Sequence, residues 1–206
     1  MLFRSDQLNN LSTTQLSALT ADQVGALIEA QVTGITTSQY AVLPTTQLTA
    51  LTTTQIPWLA TAAISNLPTT SIAALTASQI GAFTTDQVRA LTTDQLPALS
   101  TDTVAGLSTT DIGAFTTTQL QAFSTDQVQA LTTDQVQALA TDRVAAIDTG
   151  ALKGLTATQL QALTTDQVQA LTTDQIQSLM TRQITAFTTA DLNALTSDQE
   201  IGRAHV

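Results

Sequence analysis

Leu131-Thr132-Thr133-Asp134-Gln135-Val136-Gln137-Ala138 is one unit of an octapeptide that runs in unbroken register through this 206-residue chain, and it recurs undiluted from Leu163 to Ala170. From Leu11 to Leu195 every eighth residue is Leu, Ile or Phe, 24 positions in all. From Leu8 to Leu192 a second series of 24 is always Val, Ile, Leu or Tyr. Self-similarity at a fixed period marks an array built by stacking, without a single closed core. We number the slots so that the leucine series is slot three, Thr-Thr four and five, Asp six, Gln seven and the Val/Ile series eight.

Slots four to seven read Thr-x-x-Gln, as in Thr132 to Gln135 and Thr164 to Gln167. This is a capping box: the hydroxyl accepts an orphan amide of the first turn, and the glutamine reaches back to the amide of the cap. Aspartate in slot six lies in that first turn, where the helix dipole favours a negative charge. Val136 and Leu139, three apart, then share a helix face. The next Thr begins the signal again. Each octad therefore predicts one helix of about six or seven residues, roughly 10 Å long at 1.5 Å per residue. Such a helix is too short to stand alone in water and must draw its stability from neighbours.

Two other folds compete with this reading. In one continuous helix, eight residues turn about 800°, so the apolar stripe would wind around the axis. Pro44, Pro57, Pro68 and Pro97 would also break it. Pro44 and Pro68 replace the cap threonine, where proline is tolerated, whereas Pro57 and Pro97 occupy slot one and predict distorted helices. A parallel β-solenoid would suit the Thr, Val and Ile content. Against it stand only eight glycines, apolar spacings of three and five, and the helix preference of Ala, Leu and Gln. The fold expected is an all-α solenoid of about 24 very short helices, one per octad, with slots three and eight inward. Small residues in slot two, including Gly34, Gly106 and Gly154, would let helices approach closely. In Ile147-Asp148-Thr149-Gly150-Ala151-Leu152-Lys153-Gly154 the capping signal is lost, which predicts a bend or a loosened coil.

The register also assigns the domains. Met1-Leu2-Phe3-Arg4-Ser5 and Glu200-Ile201-Gly202-Arg203-Ala204-His205-Val206 lack repeat character. Leu-Phe-Arg-Ser reads as CTC TTC CGA TCT, and Ile-Gly-Arg-Ala-His-Val as ATC GGA AGA GCA CAC GTC; both resemble short-read sequencing adapters translated in frame. The expectation is that 1–5 and 200–206 are adapter-derived and 6–199 is the octad solenoid, a piece of a longer parent. That sets aside His205, the single histidine, and leaves 15 acids against the four bases Arg89, Arg143, Lys153 and Arg182.

Composition excludes several functions. A net charge of −10 with scattered bases argues against nucleic acid, which requires clustered Lys and Arg. No apolar run approaches the length of a membrane span, and without cysteine no disulfide can form. For catalysis the chain offers no cysteine, no histidine within the repeats, no serine beside a base and no glycine-rich phosphate loop. We therefore expect no enzyme and no catalytic, cofactor-binding or metal site.

Three regular features invite functional readings nonetheless. The slot-six ladder (Asp86, Asp94, Asp102; Asp126, Asp134, Asp142; Asp166, Asp174) suggests calcium, but stacked helices lie too far apart for neighbouring rungs to share an ion, and capping explains the residues. The threonine rows, with Thr13, Thr85, Thr93, Thr133 and Thr173 in slot five, suggest an ice-binding face, against capping as the simpler cause. Gln127, Gln129, Gln135 and Gln137 could hydrogen-bond a glycan or a partner chain, but exposed helix glutamines are ordinarily solvated. Asn10-Leu11-Ser12 matches the glycosylation acceptor pattern.

Leu-Thr-Thr-Asp-Gln-Val-Gln-Ala-Leu resembles the octad repeats of large bacterial proteins often described as adhesin-like or haem-utilisation proteins. The resemblance implies surface display or secretion of the parent. It implies no haem site in this chain, because residues 6–199 lack His and Cys and have Met180 as their only methionine. Leu139-Ala140-Thr141-Asp142-Arg143-Val144 is also similar to the opening of the repeats of plant-pathogen DNA-reading effectors, which implies a shared helix start; the longer repeat and basic groove of that family are absent. The expected role is a spacer or adhesion stalk, with a protein- or glycan-binding scaffold as alternative and ice binding third. Uncapped array ends are expected to promote self-association.

Overall fold

A computed structural model describes residues 7, 8, 10–197 and 199; the two expected adapter-derived ends lie outside the described residues. Among the described residues every element is helical: 21 α-helices of four to six residues and two 3-10 helices. The all-α solenoid expected from the octad is what the chain forms.

The local geometry follows from the repeat. In Thr133–Ala138 six residues are helical, and the two that remain are extended: the cap Thr132 (φ −74°, ψ 161°) and the closing Leu139 (φ −67°, ψ 132°). Leu139 N–H still donates to Val136 C=O, which tightens the last turn before the chain leaves. No described residue has a positive φ. In octads of this kind two extended residues carry the chain into the next helix, which is why so regular a turn needs neither glycine nor asparagine. Pro57 and Pro97 act as expected: both fall in 3-10 helices, Ile56–Trp58 and Leu96–Ala98. The boxes ahead of them persist, with Thr52 and Thr92 amides donating to Gln55 and Gln95.

The chain divides into two compact units, Met1–Leu107 and Ser108–Val206. In the first, Thr37–Ala41 packs on Thr61–Asn66, which packs on Thr85–Ala90. In the second, Thr117–Gln121, Thr141–Ala146, Thr165–Ala170 and Thr189–Ala194 stack in series. The neighbours in both units are three octads apart, so each unit coils with between three and four octads per turn.

Slot eight from Leu16 to Ile176 and slot three from Leu19 to Leu195 are buried at every octad, while Leu11, Ile184 and Leu192 are half-buried. Each such side chain contributes roughly 1.5–3 kcal/mol of transfer free energy, which supplies what a six-residue helix lacks. Phe115 and Phe123, slot three of consecutive octads, meet edge-on at 5.2 Å.

Tyr40 is the one aromatic in slot eight. Its hydroxyl donates to Val32 C=O at 2.9 Å, and burial raises its pKa well above the ordinary phenol value. A raised folded pKa means that this stabilisation is intact below the unfolded value, about 10, and is lost as pH climbs above it. Chemical denaturation at pH 8 and 11 should therefore show an alkaline loss of stability that Tyr40→Phe reduces. Tyr40→Phe itself should cost about 1 kcal/mol at pH 8 through the lost hydrogen bond.

Candidate functional site

The most regular polar feature is buried. Slot-seven glutamines from Gln31 onward are almost wholly inaccessible; Gln87, Gln135 and Gln175 are 1%, 2% and 1% exposed. This corrects the expectation of solvated glutamine for slot seven, whereas slot one, with Gln129 and Gln137, is exposed as expected. The reason is a second set of bonds that the octad alone does not reveal.

Gln167 shows the arrangement. Its Oε1 accepts from Thr164 N–H at 2.9 Å, and its own N–H donates to Thr164 Oγ1 at 3.2 Å, completing the capping box. Its Nε2 donates to Val136, Gln137 and Leu139 carbonyls at 3.0, 3.2 and 2.7 Å. Those carbonyls end the helix one solenoid turn earlier, where intrahelical partners run out. One side chain thus caps the start of its own helix and the end of another. The same reach of 28 to 31 residues recurs at Gln47, Gln55, Gln79, Gln159, Gln175 and Gln183. Glutamine alone combines an acceptor and a two-proton donor at this length.

Departures from the pattern obey the same logic. Pro44 occupies a cap slot without an N–H, and Gln47 Oε1 is left buried without a hydrogen-bond partner. Asp111 and Asp191 keep the capping half, accepting from Ser108 and Thr188, but as carboxylates have no amide to donate. Arg143 keeps the other half: its Nε donates to Phe115 C=O, 28 residues back, at 3.1 Å. At Ile28 and Met180 only the glutamine half of the box can form, since neither side chain accepts a hydrogen bond.

The slot-six aspartates are exposed, and all of the ladder but Asp94, which precedes a 3-10 helix, lie in first turns, as the dipole argument requires. Among the described residues no three His, Cys, Asp or Glu side chains gather where one ion could bind them.

The irregular octad is where the surface opens. Its cap is retained after all: Asp148 Oδ1 accepts from Gly150 and Ala151 N–H at 2.7 and 3.4 Å. Aspartate is as good a cap as threonine, so the lost Thr-x-x-Gln signal conceals a working helix start. The helix is short, Thr149–Leu152, and Ala151 in slot seven makes no side-chain rung. Gly154 lies so close to the preceding turn that a Cβ there would sit 2.6 Å from Thr125 O. A groove of about 460 Å³ lies beside it, lined by Thr125, Gln129, Lys153, Thr156 and Arg182 among others. A second, about 390 Å³, is bordered by Asp148, Thr149, Thr172 and Asp174. Sequence reasoning placed no site here, because Lys153 and Arg182 are 29 residues apart in the chain and only the coiling brings them to one groove.

Fold and ladder together define a tandem-repeat protein of the α-solenoid type. Residues 81–109, 104–141 and 144–181 match the model of the ALTTAQ repeat, so the chain is similar to that repeat in three tandem stretches. No curated protein matches the chain. No helix among the described residues is long and apolar enough to cross a membrane.

Proposed function

We propose that this chain is a structural repeat segment, a spacer or adhesion stalk within a larger bacterial surface protein, and that it has no catalytic role. The observation that carries the proposal is the glutamine ladder. An octad with glutamine in slot seven, such as that of Gln167, spends this side chain on its own start and on the end of a helix one turn away. Octads can therefore be added without changing the unit, which suits a length-setting element. The resemblance to adhesin-like octad proteins points the same way, and the acidic surface favours solubility.

Single-molecule pulling from the two ends tests this reading. A solenoid held by neighbour contacts should yield in several small steps of similar length, each about one solenoid turn. One all-or-none rupture of the whole chain would contradict a nearest-neighbour array.

A further inference from the structure

The charge distribution singles out one groove. Within a chain of net charge −10, the described residues hold four bases. Two have carboxylate partners on their own helices: Arg89 with Asp86 at 3.6 Å and Arg143 with Asp142 at 2.5 Å. Lys153 and Arg182 have no ion pair among the described residues, and both line the groove beside Gly154. No carboxylate lines that groove. Half of the repeat array's cations thus converge, unneutralised, on one concavity, and that concavity lies at the octad that departs most from the repeat.

Its wall has the remaining chemistry of a polar ligand site. The Gln129 side chain is exposed and, in slot one, stands outside the ladder that occupies the Gln183 side chain, although Gln129 C=O accepts from Gln159 Nε2. Thr125 Oγ1 donates to Gly150 C=O at 3.4 Å, leaving its lone pairs able to accept. Leu155 and Ala157 add apolar surface. About 460 Å³ is the volume of a small-ligand cleft. The wall is drawn from three successive turns, at Thr125, at Lys153 to Ala157 and at Arg182, and the tight Gly154–Thr125 approach fixes two of them against each other.

We infer that this groove binds an acidic sugar, with Lys153 and Arg182 holding its sulfate or carboxylate and Gln129 and Thr125 hydrogen-bonding its hydroxyls. Arg supplies a planar two-pronged donor and Lys a point charge, a pairing suited to an oxyanion. An acidic sugar fits better than a nucleic acid, because the many surface aspartates repel an extended polyanion whereas one or two charged sugar units meet only the groove. The inference goes beyond the stalk reading and stands whether or not the array sets length.

The test is calorimetric titration of the full chain with a sulfated disaccharide, its desulfated counterpart and inorganic sulfate. The expected result is binding of the sulfated sugar, at least about tenfold weaker for the desulfated one, and weakened by added salt. Lys153→Gln with Arg182→Gln should reduce that binding at least about tenfold, with thermal melting unchanged because both side chains are exposed. Arg89→Gln, which shifts net charge outside the groove, should leave it unchanged. Absence of binding at millimolar sugar would overturn the inference. So would binding insensitive to the double substitution, or sulfate binding as tightly as the sugar.

Discussion

Gln175→Glu should destabilise the protein by about 3 kcal/mol at neutral pH, although it changes a single atom type. Gln175 Oε1 accepts from Thr172 N–H at 2.8 Å, and Nε2 donates to Val144, Ala145 and Ile147 carbonyls at 3.0, 3.3 and 2.8 Å. Glutamate preserves the first bond and turns the donor into a carboxylate oxygen facing three carbonyls in a site 1% exposed. Desolvation and the carbonyl dipoles both disfavour the charge, so the introduced carboxyl has a raised pKa in the folded state. Relative to the original protein, the variant should therefore be least impaired below about pH 4, where the group is protonated in both states and can donate. The deficit should grow as pH rises through the unfolded value. Gln137→Glu, in exposed slot one, should stay within about 0.5 kcal/mol at any pH. Urea denaturation of both variants at pH 4 and pH 7.5 measures the contrast, and equal small losses would show that slot seven is not a buried donor.

The second large effect is expected at glycines that the sequence makes look alike. Gly106 and Gly154 both occupy slot two. A Cβ at Gly154 would lie 2.6 Å from Thr125 O, 2.7 Å from Thr125 Cγ2 and 3.0 Å from Ala151 O. Two of those three are backbone atoms that cannot swing aside. Gly154→Ala should cost about 2–3 kcal/mol, as overpacking does. At Gly106 the nearest atom is Ala77 Cβ at 3.7 Å, an ordinary contact, and the residue is helical. Gly106→Ala should stabilise by about 0.5 kcal/mol by restricting the unfolded chain. Thermal melting of the pair should move the midpoint in opposite directions. The Gly154 variant should also disturb the groove beside it, which the sugar titration would detect.

What could be read from the sequence was what each octad does alone. Thr-x-x-Gln marks a helix start by bonds spanning three residues, and Val136 with Leu139 marks the inward face, so helix length, cap and core were all legible within eight residues. The second bond of Gln167 was not, because its partners lie 28 to 31 residues away and depend on how many octads make a turn. One trace of it was present in the repeat itself. Slot seven holds glutamine far more constantly than slot one, which admits Pro57, Gly81, Arg89 and Lys153. A freely solvated residue has no such constraint. The helix start at Asp148 is hidden for a different reason: it lacks Thr-x-x-Gln, while the physical requirement is only a short acceptor side chain at the cap. Convergence of Lys153 and Arg182 is likewise a property of the coil and has no local signature.

Slot-seven amides join successive turns. Hydrogen exchange of the glutamine side-chain amides, followed by NMR on the folded chain, tests this most directly. The Nε2 protons of Gln79, Gln159, Gln167 and Gln175 should exchange far more slowly than those of Gln129 and Gln137. If both groups exchanged at the same free rate while the chain remained folded and helical, the ladder would not exist.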